Sequence, residues 1–225
     1  MAVEFSRGPT LTKTEYAYAA VRDRIMSGAL PHGAPVSQEA LAAELQVSTT
    51  PLREAMRRLA SEGFVVLDAH RDARVAALTA SEARSLFEVR QQLDPLALRL
   101  AAERRDDADM ARIMATAASL EPLDAGSGLE ALAAHRAFHA ALYGASHNEL
   151  LVSLLDGLWD KADRYRRAAL ESRADSATDR ARVKREHQAM MSAVLDGDAD
   201  AAERHMRSHV AKSLGRRAID LLAQP

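Results

Sequence analysis

Residues 48–63 read STTPLREAMRRLASEG, and this stretch decides the fold of the first part of the chain. Ser48 is a typical residue to start a helix, and Pro51 is tolerated in a first turn, where its missing N–H is harmless. The helix then runs to a glycine stop at Gly63. A second short helix, starting at Ser37 and containing LAAELQ, comes just before it. Two short helices across a very short connection predict a helix-turn-helix.

The residues on either side complete this unit. Residues 11–26 follow a helical pattern that ends at Ser27 and Gly28. After the glycine stop, residues 64–67 are β-rich, DAHRDA is turn-like, and residues 74–78 can return as a second strand. We therefore expect a winged helix-turn-helix domain over residues 11–78, preceded by a flexible arm over residues 1–10.

The rest of the chain has a different composition. Beyond Thr79 there are no β-branched runs, and alanine, leucine, arginine and glutamate dominate. The expected helix starts are Ser81, Asp107, Gly128, Ser146, Ser176 and Asp198. The predicted fold class is therefore mainly α, with the winged helix-turn-helix followed by an all-α helical bundle over residues 79–225.

Composition limits the function classes. The chain has 225 residues, of which 48% are hydrophobic and 28% charged, as in a soluble globular protein. It lacks both an apolar run of roughly 18 residues and a secretory signal, so we expect a cytoplasmic protein with no membrane contact. Cysteine is absent, which leaves histidine, aspartate and glutamate as metal ligands. The net charge of −2 decides nothing, because DNA binding needs only a local basic face.

The start of the helix at residues 48–63 carries chemistry suited to double-stranded DNA. Hydroxyl groups and backbone N–H groups at a helix start can hold phosphate, and an arginine one turn further on can fork onto a guanine. The predicted DNA-binding residues here are Ser48, Thr49, Thr50, Arg53, Arg57 and Arg58. The alternative is an ordinary solvated surface helix. The hairpin that follows favours the DNA interpretation, because it makes the unit winged.

Four histidines form a second pattern. His135 and His139 are four residues apart, so they share one helix face and can offer two nitrogens to one ion. His187 lies ten residues before Gly197 and His209 twelve after it, so a helical hairpin at this glycine brings both imidazoles to nearly the same height. This set predicts a metal site, although antiparallel helices often carry polar residues at matched heights. His205, one turn before His209, is a competing ligand.

Two segments carry a family resemblance. LAAELQVSTTPLREAMRRLASEGFVVLDAHRDARVAAL resembles the winged helix-turn-helix of GntR-type bacterial transcription regulators. The later segment EHQAMMSAVLDGDADAAERHMRSHV resembles part of the FCD effector domain of their FadR-like branch. The resemblance implies a homodimeric, ligand-controlled DNA-binding protein, usually a repressor, that binds an inverted-repeat operator and is nucleoid-associated when bound.

The resemblance also implies roles for residues of the DNA-binding part. Ser48, Thr50 and Arg53 match DNA-contacting positions of the family, and Arg71 and Arg74 match residues of its wing. Thr49 stands where the family normally has arginine, which removes one expected contact. The wing tip reads HRDAR, with an aspartate where glycine is usual, which adds an acidic group near DNA.

In the second domain, the resemblance implies a divalent metal ion. Metal-binding FCD domains use an aspartate and a histidine four apart, followed by two later histidines, and the matching positions here are His135, His139, His187 and His209. Because the aspartate position is His135, imidazole replaces carboxylate and the preference shifts toward zinc or nickel. A small organic acid effector would bind near the ion.

Two further residues are candidates for binding that effector. Arg90 can neutralise its carboxylate, or it can form a structural ion pair with a nearby acid. Asn148 is a candidate effector contact, although it is most simply a residue at a helix start.

Two other functions are compatible with the same histidines. One is a metal-responsive regulator without an organic effector. The other is a histidine–metal hydrolase with Glu186 as the base. We do not expect an enzyme, because there is no H-E-x-x-H and four histidines leave little open coordination for chemistry.

Overall fold

The computed structural model of the protein describes residues 11–67, 72–124, 126–172 and 176–223. The chain divides between Ala77 and Leu78 into two compact units, and each is described by itself. The arm expected over residues 1–10 lies outside the described residues. The fold is mainly helical with one small sheet, as the sequence predicts. The elements in chain order are α1 (Lys13–Met26), β1 (Pro35–Ser37), α2 (Gln38–Glu44), α3 (Thr49–Ser61), β2 (Val65–Leu67), β3 (Asp72–Val75), α4 (Ala80–Arg104), α5 (Asp107–Ala118), α6 (Leu129–Gly144), α7 (Glu149–Ser172), α8 (Ala177–Asp196), α9 (Ala199–Ala211) and α10 (Leu214–Leu222).

The first unit is a winged helix-turn-helix built on one apolar core. Helices α1, α2 and α3 contribute buried side chains such as Val21, Leu41 and Met56, and the strands add Val75. Because α3 buries only the residues of one stripe, its opposite face is left in water. This helix is the one that the opening stretch of sequence predicts.

The sheet differs from the predicted hairpin in two ways. It has three antiparallel strands in the order β1-β3-β2, and the sequence interpretation missed β1 because three residues are too short to show an alternating pattern. Strand β3 covers residues 72–75 instead of the expected 74–78. Its position follows from pairing, since Val75 lies opposite Val65 and Ala73 lies opposite both Val36 and Leu67.

The second unit is all helical, and its long helix α4 contains an internal proline. Pro95 has no N–H for the carbonyl of Gln91, four residues earlier. Arg207 on α9 supplies the missing donor, with Nη1 at 3.1 Å from that carbonyl oxygen. The proline is therefore accommodated by a neighbouring helix, and α4 continues to Arg104.

Helix boundaries in this unit mostly match the capping residues of the sequence. Asp106, Gly128, Ser176 and Asp198 are the N-cap residues of α5, α6, α8 and α9. Helix α7 starts at Glu149 instead of Ser146. The sequence interpretation also missed the break at Ser213, whose side chain caps α10. None of the described helices is long and apolar enough to cross a membrane.

The turn between α8 and α9 requires glycine. Gly197 has φ of 77°, in the left-handed region that glycine adopts without strain. A Cβ atom at this position would also lie 2.7 Å from Nη2 of Arg105, which donates a hydrogen bond to the carbonyl of Leu195. This turn folds α9 back along α8 and brings their histidines side by side.

Candidate DNA-reading helix and candidate metal centre

The exposed face of α3 carries most of the residues predicted to contact DNA. Thr49, Thr50, Arg53 and Arg57 are all exposed, and Arg53 lies three or four residues from each of the other three, which places them along one side of the helix. Within the described parts of the chain, no hydrogen bond or ion pair holds Arg53 or Arg57. Their guanidinium groups are free to meet bases or phosphates.

The start of α3 is also open to an anion. Ser48 is the N-cap residue, as predicted, but its side chain makes no capping hydrogen bond, and the first turn has no acidic residue. The first N–H groups of a helix have no partner within the helix and carry the positive end of its dipole. Ser48 therefore adds its hydroxyl to a site that suits phosphate.

Arg58 is in a different position from its two neighbours. Its Nε donates to Glu62 at 3.0 Å, and its guanidinium lies 3.9 Å from the ring centre of Tyr18 on α1. Tyr18 donates to the same glutamate at 2.6 Å, and burial together with this bond raises the pKa of Tyr18 to about 12. Arg58 thus has a structural role that sequence analysis did not identify, beside its predicted phosphate contact.

The wing is described only in part. Arg74 lies exposed on β3 between the buried Ala73 and Val75. Arg71 lies outside the described residues.

In the second unit, the four predicted metal ligands come together in the interior. His135 and His139 from α6, His187 from α8 and His209 from α9 are each at most 7% exposed. They can each offer one nitrogen such that all four nitrogens lie within 4.8 Å of one another. His205 is exposed and lies outside this cluster. The helical hairpin predicted from the sequence therefore places His187 and His209 in contact, with ring centres 4.9 Å apart.

Burial keeps these imidazoles neutral. Loss of water lowers the pKa of His187 to about 2 and holds the pKa values of His135, His139 and His209 below the usual 6.5, with nearby positive charge adding to the effect. Within the described residues, both ring nitrogens of His139 lack a hydrogen-bond partner, as do Nδ1 of His135 and Nε2 of His187. Neutral imidazoles with unpartnered buried nitrogens fit a divalent ion.

A carboxylate orients the fourth imidazole. Nδ1 of His209 lies 3.0 Å from the carboxylate of Glu186, which also accepts from Arg182 at 2.7 Å. A proton on Nδ1 leaves Nε2 with the lone pair that a metal requires, and carboxylates commonly orient metal-binding histidines in this way. Glu186 is thus bound to two side chains and orients the imidazole of His209, whereas the hydrolase hypothesis gave it the role of a base.

A buried polar network lies beside the histidines on α4, α6 and α7. Arg90 donates to Asp94 at 2.6 Å, and Tyr143 donates to the same carboxylate at 3.0 Å. The structural ion pair considered for Arg90 is therefore present. Its Nε and Nη1 remain buried and have no hydrogen-bond partner in the part of the chain that the structure describes. Trp159 joins the network and the cluster, since its Nε1 donates to Tyr143 and its ring centre lies 4.7 Å from that of His139.

A second buried cation, Arg166, was missed by sequence analysis. It forms an ion pair with Asp163 and lies 4.6 Å from the ring centre of Trp159. With His135, His209, Glu186, Lys212, Ser213, Leu123 and Val183 it lines a cavity of about 20 Å³, which we call the polar cavity. The motif RYRR within a helix gives no sign that one of its arginines is buried next to histidines.

Asn148 has a structural function at the start of α7. Its side-chain oxygen accepts a hydrogen bond from the N–H of Leu151 at 3.1 Å, as the helix-start interpretation requires. It lines a shallow surface groove with His147 and Asp156. That groove shares no residue with the polar cavity.

Comparison with known proteins agrees with this architecture. Residues 13–75 match the family "Bacterial regulatory proteins, gntR family", and residues 85–212 match the FCD domain. A solved structure described as E. coli McbR/YncC superposes with a TM-score of 0.73 and 20% identity, covering 96% of this chain and 99% of that one. At 20% identity, this similarity shows that the two chains share a fold and shows nothing more.

Two curated relatives are transcription regulators. The "Probable D-xylose utilization operon transcriptional repressor" of Paenarthrobacter nicotinovorans is 31% identical over 210 residues, covering 91% of this chain and 89% of the relative. The "Nta operon transcriptional regulator" of Aminobacter aminovorans is 33% identical over 129 residues, which are 57% of this chain and 61% of that protein. Together, the two domain matches and the full-length relative show that the chain belongs to the GntR family of DNA-binding transcription regulators, with an FCD domain as its second domain.

Proposed function

We propose that this regulator is a repressor controlled by a small carboxylate that binds beside a divalent metal ion in the second domain. The observation that carries the proposal is the cluster of four buried imidazoles, three of which have a ring nitrogen with no hydrogen-bond partner among the described residues. Leaving buried polar atoms unsatisfied costs about 1–3 kcal/mol each, so a protein that gathers them in one place needs a partner for them. An ion bound by imidazole nitrogen supplies that partner, and zinc or nickel suits such a ligand set.

The surroundings of the cluster support an anionic effector. The polar cavity contacts His135 and His209 and is also lined by the cationic side chains of Arg166 and Lys212. Its volume of about 20 Å³ leaves room for one water-sized group, such as one oxygen of a carboxylate. Arg90, with two unpartnered donors, adds positive charge next to the cluster. A carboxylate bound here would ligate the ion and lie near buried cations.

A metal sensor without an organic effector is the second candidate. One observation favours it: four histidine ligands complete a tetrahedral site and leave no position for an effector. In that case the ion itself is the signal, and added carboxylates do not alter metal or DNA binding.

We base the proposed repressor function and operator on the first domain and on the relatives. The printed name of the Paenarthrobacter relative calls it a repressor, and we extend this sign of regulation to the present chain. One short recognition helix reads only a few base pairs, so we expect two copies on an inverted repeat.

An exposed apolar face fits this homodimer. Val89 and Leu96 lie two turns apart on α4, and Leu150 and Leu154 lie one turn apart on α7, and all four are more than 40% exposed. Helix α7 runs antiparallel to α4, because Glu82 near the start of α4 contacts Lys161 in the second half of α7, and Arg104 at the end of α4 donates to the carbonyl of Ser146, just before α7 begins. The two exposed pairs therefore lie on neighbouring antiparallel helices, and we assign the surfaces that carry them to the dimer.

Selection of bound sequences from random duplex DNA, with metal-loaded and metal-stripped protein, tests the proposal. Enrichment of an inverted repeat whose affinity changes on metal removal supports it. If no sequence is enriched, the chain does not recognise a specific DNA sequence. If enrichment is equal with and without metal, the metal does not control DNA binding.

Elemental analysis of protein purified without a histidine tag or chelator tests the ligands. We expect one divalent ion per chain, its loss in His187→Ala and His209→Ala, and its retention in the matched control His205→Ala. Glu186→Gln should weaken metal binding about 10- to 100-fold, because it perturbs the orientation of His209. If the purified protein contains no metal and does not bind added zinc, nickel or manganese, the proposed site is wrong.

A further inference from the structure

A second cavity next to the histidine cluster has a different character from the polar cavity. It lies between α5, α6 and α8, and the segment that follows α5 forms part of its wall. Its walls are formed by Ala117, Leu120, Pro122, Phe138, Lys184, His187, Gln188 and Met191. It shares no residue with the polar cavity, and we call it the α5–α8 cavity.

The α5–α8 cavity has the size and lining of a site for a small hydrocarbon group. Its volume is about 110 Å³, and it is partly open to solvent. An apolar cavity of about 150 Å³ in another protein binds benzene. Five of the eight lining side chains have no hydrogen-bonding group, and Phe138 at the wall is fully buried. A group of about four to six carbons therefore fits.

The polar residues of this cavity select for an anion. Lys184 and Gln188 are one turn apart on α8, and the side chain of Lys184 is 55% exposed. The ammonium is 3.9 Å from the carboxylate of Glu121, which is 79% exposed, and an exposed pair of this kind is weak. Lys184 can therefore exchange that partner for a carboxylate bound with its hydrocarbon part in the cavity.

We propose that the α5–α8 cavity binds a monocarboxylate with a hydrocarbon part of about four to six carbons, its carboxylate at Lys184 and its apolar end against Phe138. The occupant touches His187, and the ring of Phe138 lies 5.3 Å from that of His187 and 5.4 Å from that of His139. Occupancy is then coupled to metal binding, a consequence that rests on the proposed function. By linkage the coupling is reciprocal.

Calorimetric titration of the metal-stripped, full-length protein with straight-chain carboxylates tests the cavity. From propanoate to hexanoate we expect the affinity to rise roughly fourfold for each added methylene, because each one leaves water. Beyond the length that fills the cavity, the affinity should level off. Glycolate and gluconate, which lack a hydrocarbon part, should bind at least tenfold more weakly than hexanoate. A gain that continues unchanged to dodecanoate, or no dependence on chain length, overturns the proposal.

Variants locate the binding. Ala117→Phe fills the cavity from a partly exposed position and should weaken hexanoate binding at least tenfold. Ala118→Phe is the matched control, because Ala118 is exposed and does not line the cavity. Lys184→Glu replaces an exposed side chain and should weaken binding by at least as much, whereas Lys184→Arg should retain it. Hexanoate binding that survives both Lys184→Glu and Ala117→Phe overturns the assignment.

Zinc titration of the same protein separates this inference from the proposed function. If hexanoate binds the metal-free protein and zinc does not bind at all, the proposed metal function fails and the cavity assignment stands. If zinc binds and hexanoate does not, only the cavity assignment fails. If both bind, hexanoate should change the zinc affinity by the same factor by which zinc changes the hexanoate affinity.

Discussion

The two units of this regulator handle positive charge in opposite ways. On α3 the arginines that face outward, Arg53 and Arg57, are exposed and have no partner among the described residues. In the second unit Arg90 and Arg166 are almost fully buried, and each has an aspartate partner on its own helix. An exposed cation can bind a polyanion with little loss of hydration, whereas a buried cation must be compensated within the fold. We therefore expect mutations of the first set to change affinity for DNA and mutations of the second set to change stability.

Acidification of the metal-free protein is the largest expected effect. The pKa values of the four clustered histidines are lowered in the folded state, mainly by burial, so the unfolded chain binds more protons below its ordinary histidine pKa of about 6.5. Their contribution to stability is complete above pH 6.5 and is lost as the pH falls, for His187 down to about 2. Between pH 7.5 and 5.5 the loss for His187 is on the order of 1 kcal/mol, and the other three imidazoles add to it in the same direction.

Urea unfolding across this pH range measures the loss. Replacement of His135 by leucine should make the pH dependence shallower, while His205→Ala should leave it unchanged. A stability that stays constant from pH 7.5 to 5.5 would show that the imidazoles are not held neutral.

Asp94→Ala is expected to give the next largest effect. It leaves the guanidinium of Arg90 buried without its counter-ion, and breaking a buried pair in this way costs about 3–5 kcal/mol. The matched control is Glu103→Ala, which removes one of the three acidic partners of the more exposed Arg99 and should cost at most about 1 kcal/mol. Thermal or urea unfolding measures both, and similar small losses in the two variants would contradict the expectation that a buried cation of the second unit depends on its counter-ion.

Arg53→Ala should weaken specific DNA binding by about 1–3 kcal/mol per half-site and relax the choice of base at one position. Because the side chain is exposed, unfolding should be unaffected and metal content unchanged. Fluorescence anisotropy with the selected operator and a scrambled duplex measures the difference. An unchanged preference between the two duplexes removes Arg53 from the reading role.

Thr49→Arg is expected to have the smallest effect. An arginine at this exposed position of α3 can add one phosphate contact, which should steepen the salt dependence of log affinity by about one unit. Titrations at several salt concentrations measure that slope. A weaker complex would show that Thr49 makes a contact of its own.

Local patterns explain which parts could be predicted from the sequence. The helix-turn-helix follows from capping residues and glycine stops only a few residues apart. The histidine cluster follows from a spacing of four on α6 and from nearly equal distances on the two sides of Gly197, both of which are geometric consequences of a helix. In each case neighbours along the chain define the arrangement.

The parts that were missed depend on distant partners. Strand β1 is defined by its pairing with β3, and the burial of Arg166 is defined by the packing of α7 against α6 and α4. Glu186 was noticed, but its role became clear only when α9 placed His209 beside it. None of these relations leaves a periodic signal in the sequence.

Tyr165, the residue before Arg166, connects α7 to the start of α4. Its hydroxyl lies 3.3 Å from both the N–H and the carbonyl of Thr79, the N-cap residue of α4, and donates to Glu82 at 2.7 Å. Thr79 follows the boundary between the two units by only two residues. Arg166 thus lines the polar cavity, and the adjacent Tyr165 is bonded to the start of α4, next to that boundary. If a ligand shifts α7, Tyr165 and the contact of Lys161 with Glu82 would carry the shift to the first residues after the boundary.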